Sequence, residues 1–106
     1  MEGMRTDYAF ERCMQAAKLL AVGHEPLAHR LAHAWSRALA RLRQEHMTPK
    51  GWNLLVDTRM EVDQLSRTAA TLEEALAPLT DDEREALALR LWGVISFVVG
   101  SPPATT

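Results

Sequence analysis

Two histidines, His29 and His33, are the residues of this chain whose type and spacing point most directly to chemistry. A separation of four residues places both imidazoles on one side of a helix, where they could jointly hold a metal ion or a phosphate. His24 lies in the turn just before them, and Glu25 is the nearest acidic candidate for a further ligand. His46 lies at the far end of the same predicted helix and could join them only from a second chain. Because paired exposed histidines on a helix are more often solvated surface than ligands, no metal or other cofactor is predicted.

Three arginines, Arg30, Arg37 and Arg41, form a predicted row along one narrow sector of the same helix. A row of guanidinium groups can follow a phosphate backbone, and arginine also binds the carboxylates of a protein partner through paired hydrogen bonds. A solvated flank that pairs with acidic residues of neighbouring helices is the plainer interpretation. No recognition helix, aromatic stacking platform or basic tail accompanies the row, so a protein is the favoured partner and nucleic acid the alternative.

Sequence motifs of the common enzyme classes are absent from this chain. It contains no CxxC, HExxH, GxGxxG, GxSxG or GxxxxGK[ST] motif, and no Glu-x-x-His pair of the kind that holds di-iron centres in helical bundles. Cys13 falls on the apolar face of the first predicted helix, which favours a buried thiol over a nucleophile. The sequence therefore predicts a protein that is not an enzyme.

The segment 28–31, Ala-His-Arg-Leu, resembles the active helix of histidine phosphotransfer domains, which are four-helix bundles with one exposed histidine. The resemblance implies that His29 would receive the phosphoryl group. Family members usually have a lysine at the third position after this histidine and a glycine at the fourth, whereas this chain has Ala32 and His33 there. A histidine-phosphotransfer-like or metal-binding bundle centred on His29 and His33 is therefore a second alternative.

The composition fits one small globular domain. The chain has 106 residues and a net charge of −2, so no global field attracts nucleic acid or an anionic membrane. The N-terminus has no signal-peptide core, and the longest apolar run, Leu91 to Val99, is far shorter than the roughly 20 residues that span a bilayer. A single cysteine fits a reducing compartment. We therefore expect a cytoplasmic protein with one helical-bundle domain over 1–100 and a disordered C-terminal tail over 101–106.

Helix-start signals divide this domain into four amphipathic helices. The signals are Thr6-Asp7, Glu25-Pro26, Thr48-Pro49 and a capping box formed by Thr80 and Glu83. The helices that they open are predicted to cover about 7–22, 26–44, 49–78 and 81–99. Because turns of about three or four residues force successive helices to be neighbours, the fold predicted is an all-α, antiparallel up-down-up-down four-helix bundle.

The third predicted helix is the longest and carries a heptad seam of apolar residues from Leu55 to Leu79. If continuous it would reach ~40 Å, whereas its neighbours would reach only ~24 to 29 Å. Either it breaks near 68–71, or its end projects and is covered by a second chain in a dimer. On its outer side, the spacing of Arg59, Asp63 and Arg67 predicts an exposed ion-pair ladder.

The fourth predicted helix is apolar on most of its circumference, because a second stripe with Trp92, Ile95 and Val99 lies beside the stripe of Leu87 and Leu91. A helix that is apolar this far round is either central or covered by another chain. Gly93 on this helix predicts a close helix crossing, within the fold or between subunits.

These patterns together favour a non-enzymatic binding module that acts through protein–protein interaction and self-association as a homodimer. Helix-against-helix burial is the expected mechanism, with arginines as polar specificity contacts. The residues predicted to contact a partner are Trp92, Ile95, Val99, Trp52, Arg30, Arg37 and Arg41.

Overall fold

The computed structural model of the protein describes residues 6–100, and this range is helical without any strand. The α-helices are α1 (Asp7–Val22), α2 (Leu27–Arg37), α3 (Pro49–Ser66), α4 (Leu72–Leu76) and α5 (Asp81–Val99). Two short 3₁₀ helices, Leu39–Arg41 and Gln44–His46, connect α2 to α3. The predicted all-α class is confirmed, although the described chain has five α-helices where four were predicted. The tail predicted over 101–106 lies outside the described residues.

The predicted helix starts at Thr6, Thr48 and Thr80 are confirmed by their capping hydrogen bonds. In each case the threonine hydroxyl accepts a bond from the backbone N–H three residues later, at 3.1 Å. The Glu83 carboxylate returns to the Thr80 backbone N–H at 2.9 Å, which completes the predicted capping box. Thr71 caps α4 in the same way, through the N–H of Glu74.

The prediction that the second helix continues to residue 44 is wrong, because α2 ends at Arg37. Ala38 leaves the helical conformation, and the chain continues as a 3₁₀ helix. The carbonyl oxygens of Ala40 and Leu42 accept hydrogen bonds from the Arg59 guanidinium of α3, each at 3.3 Å. A side chain from a distant helix thus satisfies carbonyl groups that a continuous helix would pair internally.

The third predicted helix is broken rather than continuous. α3 ends at Ser66 and α4 begins at Leu72, so the break covers the segment predicted from the length mismatch. Hydroxyl groups compete for the backbone here: Ser66 donates to the Val62 carbonyl, and Thr68 donates to the Leu65 carbonyl. The second part of the seam therefore folds back as α4, which packs against both α2 and α3.

The core lies between α1, α2, α3 and α5. α1 packs against α2 and α5, and α3 packs mainly against α5 and α4. Cys13 is fully buried, as its position on the apolar face predicts. The largest fully buried side chains include Leu31, Leu39, Leu42, Leu55, Leu76, Leu91, Val94 and Val98. No helix among the residues 6–100 combines the length and the apolar character that crossing a membrane requires.

α5 uses most of its two apolar stripes inside the chain. Ile95 is only 3% exposed, while Trp92 and Val99 are half-buried and pack against the core. A Cβ atom added at Gly93 would meet no atom within 4 Å, so a close helix crossing at this glycine within the fold is wrong. Leu89 is the residue of α5 that leaves a large apolar side chain in solvent, with 71% of it exposed.

Candidate functional site

An open cavity of about 550 Å³ lies along the contact between α1 and α2, and we call it the α1/α2 groove. Both helices and the turn between them supply its walls. The lining combines cationic, imidazole and apolar side chains, with a single acidic residue: Gln15, Lys18, Leu19, Val22, Gly23, Glu25, His29, Arg30, His33 and Arg37. The groove therefore gathers two of the predicted partner-binding arginines and both predicted histidines on one surface.

Arg30 lines this groove, and its side chain is bonded to backbone carbonyl groups. Its Nη1 atom donates to the Leu20 carbonyl at 2.6 Å, and its Nε atom donates to the Glu25 carbonyl at 2.9 Å. These bonds hold the C-terminal end of α1 against the start of α2. A Cβ atom at Gly23 would lie 2.5 Å from the exposed Glu25 carboxylate and 3.0 Å from the Arg30 side chain, so a larger residue here would displace both side chains. Arg30 thus positions the groove rather than presenting a free guanidinium.

Lys18 and Arg37 are the available cations of the groove. Both residues are exposed. Within the part of the chain that the structure describes, neither side chain forms an ion pair or a hydrogen bond. Only the backbone carbonyl of Arg37 is engaged, by the guanidinium of Arg12 at 3.3 Å. These two side chains can therefore turn toward an anionic ligand without breaking an existing contact.

The two histidines stack beside the groove and meet a carboxylate from α4. The ring centroids of His29 and His33 lie 4.0 Å apart with an interplanar angle of 32°. The Nδ1 atom of His29 lies 2.9 Å from Oε1 of Glu73. One ligand atom from each of these three residues lies within 4.8 Å of the other two. The predicted pair thus acquires an acidic neighbour, but it is Glu73 rather than Glu25.

The protonation of His33 is shifted by its surroundings. Burial lowers the pKa of His33, and the positive charges of His29 and Arg37 lower it further. The neutral imidazole, which can accept a hydrogen bond or bind a metal, is therefore favoured at neutral pH. The pKa of Glu25 is also lowered, first by a backbone hydrogen bond and then by the nearby histidines, so this carboxylate is ionised.

The predicted row of three arginines does not exist as one surface. It required a helix through residue 44, but α2 ends at Arg37 and Arg41 lies in the 3₁₀ helix. Arg41 lines a different cavity, which also contains Tyr8, Arg43 and His46. Only Arg30 and Arg37 share the α1/α2 groove. The His46 ring packs against the Tyr8 ring in a tilted contact, with centroids 4.6 Å apart, and takes no part in the His29 cluster.

Arg59 has a structural role that the sequence pattern did not indicate. The ion pair between Arg59 and Asp63 that the predicted ladder required does not form, and Arg67 also has no ionic partner among the described residues. The Arg59 guanidinium instead lies 6.0 Å from the Trp35 ring centroid and 5.6 Å from that of Trp52. Trp52 is half-buried, and one of its faces is therefore already in contact with a cation of its own helix.

Sequence reasoning missed two residues of the site, Lys18 and Glu73. No sequence pattern gives Lys18 a role, because only the packing of α1 on α2 brings it into the same cavity as Arg37. Glu73 lies 44 positions after His29, so no helical spacing could join them. The threonine cap at Thr71 was a signal for the start of α4, and it would have placed Glu73 in a first helical turn.

Comparison with protein-family models, with curated proteins and with solved structures finds no match for this chain.

Proposed function

We propose that this protein is a non-enzymatic helical binding module that holds an acidic segment of a protein partner in the α1/α2 groove. The observation that supports this most directly is the pair of unengaged cations, Lys18 and Arg37, beside exposed apolar surface in an open cavity. Arginine and lysine attract carboxylates, and arginine can bind one through two parallel hydrogen bonds. The groove is thus a cationic patch on a chain whose net charge is −2.

The apolar part of the groove favours a peptide over a small anion. Val22 is 64% exposed, and Leu19 is half-buried against the core. A segment that presents an apolar side chain next to an acidic one would cover Val22 and neutralise Lys18 or Arg37 together. Interfaces commonly combine an apolar centre with charged groups at the rim. The volume of about 550 Å³ suits a few side chains, so the occupant is a short segment.

The proposal takes α1 and α2 as antiparallel neighbours. Only four residues, 23–26, connect them, and a connection this short favours the antiparallel order that was predicted for the whole bundle. The groove therefore runs beside a short turn whose geometry is held by Arg30. A rigid turn favours binding because little conformational entropy is lost on association.

Nucleic acid is the weaker alternative. Its main support was the row of three arginines, and Arg41 lies apart from the other two. The groove lining includes no Trp, Tyr or Phe on which bases could stack. Phosphotransfer through His29 is also weaker, because the third and fourth positions after this histidine hold Ala32 and His33 in place of the lysine and glycine of histidine phosphotransfer domains.

The two sequence features that suggested a homodimer are both accounted for within one chain. The apolar stripe with Ile95 is largely buried inside the chain, and the third helix folds back instead of projecting. Light scattering coupled to size-exclusion chromatography tests the homodimer directly on the untagged protein, whose monomer mass is 11.9 kDa. A stable mass of twice this value would restore a homodimer and would direct attention to the exposed face around Leu89.

Peptide display tests the acidic-segment proposal without a known partner. Random peptides are selected on the wild-type protein and counter-selected on the double variant Lys18→Glu/Arg37→Glu. We expect the selected peptides to combine Asp or Glu with a large apolar residue. Fluorescence anisotropy with one labelled consensus peptide should then show loss of binding in the double variant.

The matched control is Arg67→Glu, because Arg67 is an exposed arginine that does not line the groove. This control should bind the consensus peptide like the wild type. A selection that yields no peptide dependent on Lys18 and Arg37 would refute the proposal. Salt-sensitive binding of a labelled single-stranded DNA that is lost in the double variant, without peptide binding, would favour the nucleic-acid alternative.

A further inference from the structure

We propose that His29, His33 and Glu73 form a binding site for a divalent transition-metal ion of the zinc class. Two imidazoles and one carboxylate are a donor set that suits zinc and related ions, which accept nitrogen and oxygen ligands. The three donor atoms lie within 4.8 Å of one another, and two of them are already 2.9 Å apart. This site goes beyond the proposed peptide groove, since neither Lys18 nor Arg37 is among its ligands.

A metal ion would require the widest separation among the three donor atoms to shorten and the His29–Glu73 separation to lengthen slightly. Zinc bonds to nitrogen and oxygen are about 2.0 to 2.2 Å long, so ligand atoms around a tetrahedral ion are roughly 3.3 to 3.6 Å apart. The side chains of His29 and Glu73 are 31% and 50% exposed, which leaves them room to rotate. The contact between them already brings a nitrogen and an oxygen to slightly less than the required separation.

The ligands come from two elements that the fold holds together. His29 and His33 are one turn apart on α2, where the helical backbone fixes their relative position. Glu73 lies on α4, which packs directly against α2. The break between α3 and α4 is what allows the acidic residue to return to α2. A continuous third helix would not return to α2. The break within the heptad seam is therefore what brings the three donor residues together.

The cluster is accessible from solvent on two sides. His33 lines both the α1/α2 groove and a neighbouring cavity of about 270 Å³, and Glu73 lines the second one. An ion can therefore enter, and a water molecule can occupy the fourth position of a tetrahedral site. Glu25 adds a negative charge on the groove wall that opposes the positive charge of Arg37.

The test is direct binding of ZnCl₂ to the untagged protein, measured by competition with a chromophoric chelator. The wild type should bind one zinc ion per chain. Removal of an outer-shell partner already costs metal sites about 10- to 100-fold in affinity, so His33→Ala and Glu73→Gln should each weaken binding roughly 100-fold or more. His24→Ala is the matched control, because His24 lies in the preceding turn but outside the cluster, and it should leave the affinity unchanged.

Thermal unfolding gives a second readout that does not depend on the chelator. Zinc should raise the Tm of the wild type and of His24→Ala, and should leave the Tm of His33→Ala unchanged. Far-UV circular dichroism shows whether each variant is folded before zinc is added. Zinc affinity that is equal in folded wild type, His33→Ala and Glu73→Gln would overturn the site. Equal affinity of the wild type for Mg²⁺ and Zn²⁺ would also overturn it, because a nitrogen donor set prefers zinc.

The peptide-groove proposal and the metal-site proposal can be contradicted independently of each other. Loss of peptide binding in Lys18→Glu/Arg37→Glu, with zinc affinity no weaker than that of the wild type, supports the groove and leaves the metal site standing. Loss of zinc binding in His33→Ala with unchanged peptide binding supports the metal site alone.

Discussion

The Nδ1 atom of His29 lies 2.9 Å from Oε1 of Glu73, and this contact joins α2 to α4 across 44 positions of the chain. Both side chains remain partly exposed, so the pair adds little to stability by itself: exposed ion pairs contribute about 0 to 1 kcal/mol. Its importance lies in placing a carboxylate beside two imidazoles. Because the pair contributes little to stability, variants at His29 and Glu73 should stay folded, so a loss of binding in them can be assigned to the missing side chain.

Arg30 is expected to stabilise the fold rather than to contact a partner directly. Arg30→Ala removes two hydrogen bonds to the carbonyl oxygens of Leu20 and Glu25, and we expect unfolding free energy to fall by about 1 to 3 kcal/mol. Urea unfolding followed by circular dichroism measures this. Arg41→Ala is the control and should change stability by no more than about 0.5 kcal/mol, because Arg41 is exposed. An Arg30→Ala variant as stable as the wild type would contradict this structural role and would leave the Arg30 side chain available to contact a partner.

Arg59 is expected to hold the end of the first 3₁₀ helix. Arg59→Ala leaves the carbonyl groups of Ala40 and Leu42 without their donor and removes the cation from the faces of two tryptophans. We expect a loss of about 1 to 2 kcal/mol in chemical unfolding. Arg67→Ala, on an exposed arginine beyond the end of α3, should be close to neutral. Tryptophan fluorescence should shift in Arg59→Ala and not in Arg67→Ala; the same spectrum in both would contradict this role.

Ile95 is expected to behave as a core residue. Ile95→Ala should lower the unfolding free energy by about 2 to 5 kcal/mol, because it leaves a cavity where the side chain is only 3% exposed. Leu89→Ala on the same helix is the matched control, since Leu89 is 71% exposed and should change stability by no more than about 0.5 kcal/mol. Similar small effects in both variants would mean that Ile95 faces solvent and is available to a partner.

The capping box of α5 predicts a specific dependence of stability on pH. Hydrogen bonds to Thr80 lower the pKa of Glu83, so the ionised form is favoured in the folded protein. The stability that this shift provides is fully present above the ordinary glutamate pKa of about 4.3, and it is lost as the pH falls through the lowered folded value. The Tm difference between wild type and Glu83→Ala should therefore be larger at neutral pH than in strong acid.

Glu83→Gln separates the hydrogen bond from the charge in this experiment. Glutamine can still bond to the Thr80 N–H but does not titrate, so the contribution of residue 83 should become independent of pH in this variant. Thermal scans across the acidic range provide the measurement. A Glu83→Ala difference that stays constant from neutral to acidic pH would contradict the lowered pKa.

Local interactions explain which features the sequence predicted correctly. The starts of α1, α3 and α5 are encoded by threonine caps, whose hydroxyl groups bond to N–H groups only three residues away. The predicted bounds of α1 and α5 agree with the structure, since amphipathic spacing and a terminal glycine are also local signals. The conflict between helix lengths likewise indicated that the third helix could break near 68–71.

Contacts between residues that are distant in the sequence explain the features that were not predicted, because no spacing rule describes such contacts. α2 ends earlier than its apolar pattern predicts, which separates Arg41 from Arg37, and Arg59 bonds to carbonyl groups of the segment that follows. The packing of α5 decides that Ile95 is buried. The return of α4 against α2 brings Glu73 to His29. The sequence by itself determined the helical class, the starts of α1, α3 and α5, and the histidine pair, whereas the tertiary structure alone decided which charges meet and which apolar residues remain in solvent.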